Sequence, residues 1–217
     1  MILSHGRRYI FVHIPKTGGT ALTLALERKA MKDDILIGDT PKARQRRKRL
    51  KGVAVPGRLW KHSTLSDIAP LMPPTGFQGY FVFTLVRNPW DRMLSYYSWA
   101  RAQTFDHPAI ALARRVDFSG FLNDPGTRQA VLRNNYGSYI RDPEGHERCD
   151  LFLKLEDLSS GIAQIEERLG LRLPPIERVN VSDRVRDWRS AYSDADRALV
   201  AELCKEDIAR FGYGFDP

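Results

Sequence analysis

Three stretches of the chain read as strands, the first apolar without alternation, the second nearly so and the third apolar but for Lys154, and each runs into a polar segment at its C-terminal end. Tyr9-Ile10-Phe11-Val12 leads to Pro15-Lys16-Thr17-Gly18-Gly19-Thr20, Tyr80 to Val86 leads to Arg87-Asn88-Pro89-Trp90-Asp91-Arg92, and Leu151 to Leu155 leads to Glu156-Asp157-Leu158. Continuous apolar runs of this length are expected of strands covered on both faces in a parallel sheet. Helices are predicted after each. The first spans Ala21 to about Met31. The second carries Asn88 as N-cap, Pro89 at the first helical position and Asp91 as an early acid, and continues through Arg101. The third runs from about Ser160 to Leu169 and stops at Gly170. A further helix is predicted over Asp194–Arg210. Thr64-Leu65-Ser66-Asp67 has capping-box spacing for a helix through Leu71, and Arg58-Leu59-Trp60-Lys61 before it reads as a short strand. Asp33–Gly57 reads as a helical excursion or loop, and Ala102–Arg148 as short helices and loops with Phe118, Phe121 and Leu122 buried. The alternation of strand and helix predicts an α/β fold, three-layered, with a central mostly parallel sheet flanked by helices.

With 217 residues and 42% hydrophobic content, the chain is long enough for one substantial core, and a single domain over 1–217 is expected. It holds no run of about 18 apolar residues and no charged-then-apolar leader, so neither a membrane span nor a secretory signal is expected. Cys149 and Cys204 lie far apart and form no metal-ligand spacing. Free thiols in a reducing, cytoplasmic compartment fit this pattern, and so does one disulfide.

The net charge of +8 is focal. Nine Lys or Arg residues and no acid lie between Thr40 and Ser66, and outside that window 25 basic residues face 26 acidic ones. This favours one anion-attracting surface over a generally basic coat. A solvated charged loop over Lys42–Lys51 fits equally. Nucleic-acid binding is not expected, because no recognisable module or aromatic signature accompanies the cluster.

Both polar loops suit phosphate. Gly18 and Gly19 have no Cβ, so amides there can approach an anion that also meets a helix N-terminus and the Lys16 ammonium. A tight strand-to-helix connection would use the same glycines. The ATP-binding loop places its lysine after the glycines, whereas Lys16 precedes them. At the second loop, Arg87 at the strand exit and Ser95 two turns into the helix can converge on one phosphate. Arg92 suits the same anion or a nearby acid. His62, just before a helix N-terminus, is either a general base or a histidine satisfied by backbone. His13 is read as positioning the loop.

The order Pro-Lys-Thr-Gly-Gly-Thr resembles the 5′-phosphosulfate loop of sulfotransferases that use 3′-phosphoadenosine 5′-phosphosulfate (PAPS), particularly the branch of heparan sulfate 2-O-sulfotransferases and their bacterial relatives. Val86 to Tyr97 resembles that family's 3′-phosphate motif. The resemblance implies a P-loop-like fold, PAPS as co-substrate and PAP as product. It implies Lys16, Thr17, Gly18, Gly19 and Thr20 at the 5′-phosphosulfate, Arg87 and Ser95 at the 3′-phosphate, and Ser182 and Arg184 of Asn180-Val181-Ser182-Asp183-Arg184 over the nucleotide. His62 becomes the base that deprotonates a hydroxyl acceptor, a carbohydrate or anionic glycan, while Lys16 stabilises the departing phosphate. Glu156 orients a motif residue, acts as an alternative base, or belongs to a helix cap. Asn134–Tyr139 occupies the region where relatives shape the acceptor pocket, with tyrosines that stack on a sugar or pack in the core. No metal is implied. A nucleotide kinase and a non-catalytic binder of nucleotide or polyanion are the rival readings.

Overall fold

The computed structural model describes residues 1–176 and 187–216. The strands are β1 (Ile2–Ser4), β2 (Tyr9–Val12), β3 (Ile35–Leu36), β4 (Phe81–Val86) and β5 (Leu151–Lys154), hydrogen-bonded in the order β3-β1-β2-β4-β5. Pairing of β2 with β4 is parallel, from Tyr9↔Phe81 to Val12↔Thr84, as is that of β4 with β5. Because β1 is antiparallel to both β2 and β3, β3 points the same way as β2. The sheet is therefore mostly parallel, and β2 and β4 end at the same edge.

The apolar runs form strands because both of their faces find cover. Ile10, Phe11 and Val12 are fully buried although they alternate between faces. On one face Tyr9, Phe11 and Phe83 stack with ring centroids 5.5–5.7 Å apart. Leu22 and Leu26 of α1 (Gly19–Arg28) and Ile165 of α9 (Leu158–Leu169) join that cluster. Thr84, buried within β4, donates its hydroxyl to the Val12 carbonyl at 2.7 Å.

Between these lie α2 (Pro41–Arg46), α3 (Leu65–Ile68), α4 (Pro89–Arg101), α5 (Pro108–Ala113), α6 (Phe118–Asn123), α7 (Pro125–Arg133) and α8 (Tyr136–Tyr139), and α10 (Asp194–Leu203) and α11 (Lys205–Phe211) follow. The described residues fall into two compact units. One comprises Met1–Val86 and residues 137–176 and holds the sheet. The other comprises Arg87–Tyr136 and residues 187–216, with its own core built on Trp90, Tyr97, Phe121 and Val200.

Several elements differ from the sequence expectation. Arg58–Lys61 is not a strand. The Trp60 carbonyl accepts from the Ser63 amide at 3.0 Å and the Trp60 amide donates to Ser63 Oγ at 3.0 Å, so a tight turn takes the groups a ladder would need. The sheet edge on that side is instead built by β1 and β3, strands of three and two residues that are too short to show a period. The C-terminal helix is two helices, broken at Cys204, where φ of −112° leaves the helical region. The capping box at Thr64 and Asp67 forms in both directions, the Asn88 side chain accepts from the Trp90 amide, and Gly170 ends α9 with φ of 60°.

Gly161 lets α9 sit on β5. A Cβ there would lie 2.5 Å from Leu153 Cδ2 and 2.7 Å from its Cγ. Gly161→Ala gains about 1 kcal/mol of helix propensity but overpacks at a cost of about 1–3 kcal/mol, so a net loss is expected. Urea unfolding measures it, and a variant more stable than the parent would show that α9 moves away freely.

Candidate active site

The loop after β2 is shaped by its own side chains. Gly18 has φ of 84°, and a Cβ on it would lie 2.6 Å from Leu155 Cδ1. A Cβ on Gly19 would clash with the His13 ring, 2.6 Å from Nε2. The two glycines are thus required by packing as well as by any ligand. Thr17 is fully buried and donates its hydroxyl to the Ile14 carbonyl at 2.9 Å, so its side chain closes the loop and its amide is the group it has for an anion. At the N-terminus of α1, Gly18 supplies no side-chain cap, whereas α3, α4, α6 and α7 are capped by Thr64, Asn88, Asp117 and Asp124. The first-turn amides of α1, from Gly19 and Thr20 onward, therefore meet an anion without a competing carboxylate or hydroxyl at the cap.

Lys16 sits at φ of 67°, a left-handed conformation that costs a residue with a Cβ about 1–2 kcal/mol. Glycine would adopt it without that cost. A lysine kept in a glycine conformation supports a role for its ammonium beside the uncapped helix end.

The histidines are arranged around one hydrogen bond. His62 Nδ1 lies 2.7 Å from the His13 carbonyl oxygen. A carbonyl only accepts, so Nδ1 carries the proton, and in the neutral ring Nε2 carries the lone pair. The two rings meet edge to face at 4.7 Å, and the Trp60 ring meets His62 edge to face at 4.9 Å. His13 itself is buried, and desolvation, with Lys61 and His62 adding positive potential, pushes its pKa well below the ordinary value. It is a neutral spacer: its ring fills the space above Gly19 and its carbonyl orients His62.

In the other unit, Arg87 is the first residue after β4. Its Nε and Nη2 donate to Asp91 Oδ2 at 2.7 and 2.6 Å across one helical turn. Those bonds use two of the guanidinium's five donors and hold its plane still. The Tyr136 hydroxyl donates to the Arg87 carbonyl at 2.5 Å and accepts from its amide at 3.3 Å. Asp207 accepts from the Tyr136 amide at 3.1 Å. Ser95, one turn beyond Asp91, is buried, and its hydroxyl makes no hydrogen bond to another described residue. Arg92 lies 4.6 Å above the Tyr136 ring and 3.4 Å from the Asn134 carbonyl, which makes it part of the packing.

Tyr136 and Tyr139 are buried, so they pack in the core and neither stacks on a sugar. Asp91, Tyr136 and Asp207 were not read from sequence as supports of Arg87. The four-residue spacing from Arg87 was the available signal for Asp91, and nothing local signals the other two. Ser182 and Arg184 lie outside the described residues.

The model of the sulfotransferase family matches residues 1–214. The chain belongs to the sulfotransferase family. In fold it is similar to the crystal structure of mouse sulfotransferase SULT7A1 complexed with PAP, with a TM-score of 0.52 and 19% sequence identity over 93% of this chain and 84% of that one. No curated protein sequence matches it. Family membership argues against the kinase reading, as the order of Lys16 and the glycines already did. No helix among the described residues of this sulfotransferase is long and apolar enough to cross a membrane.

Lys16→Gly tests the backbone argument. At an ordinary φ the substitution costs about 1 kcal/mol of stability, but at this position it should be neutral or stabilising. A urea midpoint lower by a full kcal/mol or more would mean that packing by the lysine side chain, rather than its charge, keeps it there.

Proposed function

We propose that this sulfotransferase moves the sulfuryl group of PAPS to a hydroxyl of a carbohydrate or glycoconjugate, with His62 as general base. The observation that carries the reading is the Nδ1–H bond of His62 to the His13 carbonyl, which directs the basic Nε2 lone pair away from its tether. The acceptor oxygen attacks sulfur as its proton passes to Nε2. The sulfur–oxygen bond to the 5′-phosphate breaks, and the His13 carbonyl stabilises the imidazolium that forms. Lys16 and the amides of Thr17 to Thr20 neutralise charge on the departing phosphate. Arg87 and Ser95 hold the 3′-phosphate: one cation fixed by Asp91, and one hydroxyl two turns into the same helix. Ser182 and Arg184 complete the nucleotide contacts in this reading.

The residues present suit the group. An uncapped helix end, an ammonium and a held guanidinium are what a doubly phosphorylated nucleotide requires. The carbohydrate acceptor is supported by the resemblance of Pro15–Thr20 and Val86–Tyr97 to the heparan sulfate 2-O branch. A cytoplasmic setting is supported by the free thiols of Cys149 and Cys204.

Calorimetry with PAP and AMP tests the 3′-phosphate site. PAP should bind at least tenfold more tightly, and Arg87→Ala should remove most of that preference, in line with about 1.5–3 kcal/mol for a charge-assisted bond. Equal binding of both nucleotides by the parent protein rules the assignment out. For the base, His62→Ala should slow transfer from isotopically labelled PAPS by about 10²–10⁴ while PAP affinity stays within a few-fold. The readout is mass spectrometry of candidate acceptors, and unchanged turnover removes His62 from the chemistry.

A further inference from the structure

The basic segment is largely exposed, yet several of its cations are tied to the chain. Lys42 donates to the Glu27 carbonyl at 2.5 Å, Arg46 to the carbonyls of Met31 and Asp34 at 2.8 and 3.1 Å, and Arg49 to that of Lys32. Three of its cations thus add donors to carbonyls at the end of α1 and in the loop after it, where the helix dipole favours positive charge. Lys61 pairs with Asp39 at 3.0 Å.

Arg47 and Arg58 are used differently. Both are exposed and line a cavity of about 350 Å³ within the sheet-bearing unit, and Arg47 adds to the positive potential that holds the Asp39 carboxyl below its ordinary pKa. The wall is mixed, and its apolar part includes Val53, Val55, Leu59 and the exposed Trp60. Asp39 also contributes, but Lys61 answers its charge. A mixed polar and apolar wall of this volume with two arginines on it has the composition of a small-molecule site for an anion. It also adjoins the histidine pair, since the Trp60 ring that lines it meets the His62 ring at 4.9 Å.

We propose that this cavity seats the non-reacting part of the acceptor, and that the acceptor is an amphipathic anion: a ring-sized apolar body carrying a carboxylate, sulfate or phosphate. Within the carbohydrate reading this is an acidic glycoconjugate with an apolar aglycone. The inference rests on the sulfuryl-transfer reading for the word acceptor, but the anion-binding cavity itself does not.

The probes are 1-anilinonaphthalene-8-sulfonate and its uncharged analogue N-phenyl-1-naphthylamine, titrated by fluorescence into the full chain. The sulfonate should bind saturably with energy transfer from tryptophan that falls in Trp60→Phe. The Arg47→Ala/Arg58→Ala variant should bind the sulfonate at least tenfold more weakly while the uncharged probe changes less than twofold. Equal weakening of both probes, or no saturable sulfonate binding, overturns the proposal. PAP calorimetry on the same samples separates the two readings. Normal PAP affinity in a protein that does not bind the sulfonate sinks the cavity alone. Loss of PAP binding in the parent sinks the sulfuryl-transfer reading, while arginine-dependent discrimination between the probes would still establish the anion site.

Discussion

A single hydrogen bond sets the chemistry available to the sheet-bearing unit. The His13 carbonyl, freed from the ladder because β2 has just ended, accepts from His62 Nδ1 across 49 residues of chain. That contact selects a tautomer, aims a lone pair and ties the turn at Trp60–Ser63 to the exit of the central strand. It depends on His13 remaining neutral and buried, because a protonated ring there would set a positive charge against the His62 ring 4.7 Å away. Burial supplies this condition, and the missing side chain of Gly19 supplies the space.

The same economy governs the loop after β2. Gly18 and Gly19 are constrained by Leu155 and His13, so the loop is preformed by packing and does not await a ligand for its shape. Thr17 turns its hydroxyl inward to hold the chain, which leaves its backbone amide as the group it has for an anion. Preformed amides suit charge that develops on a leaving group, since nothing must reorganise as the bond breaks. In the second unit, Arg87 is held from three directions: by Asp91 through its guanidinium, and by the Tyr136 hydroxyl through its carbonyl and its amide. Burial of Asp207 and Tyr136 raises the pKa of each, so that neutral hydroxyl is secure at ordinary pH.

The charge excess illustrates how a compositional signal divides once the chain is folded. Nine cations without an acid look alike along the sequence. In the structure some close the C-terminal end of a helix, one pairs with Asp39, and Arg47 and Arg58 line a cavity. The desolvation and geometry of each guanidinium decide which of these it does, and neither is a property of the residue type.

Local physics determined much of this protein from sequence alone. The apolar runs at Tyr9, Tyr80 and Leu151, the caps at Thr64, Asn88 and Gly170, and the polar loops at Lys16 and Arg87 were legible because each depends on neighbours within a few positions. Only the tertiary structure decided that Arg58–Lys61 turns where a strand was expected, that β1 and β3 complete the sheet, and that Tyr136 supports Arg87 from the core. It likewise decided that His13 orients His62. The turn at Trp60–Ser63 and the β1–β2 pairing are local but too short to carry a period, whereas β3, Tyr136 and His13 act on partners 32 to 49 positions away, where a hydrogen bond or a buried face is won by competition among segments.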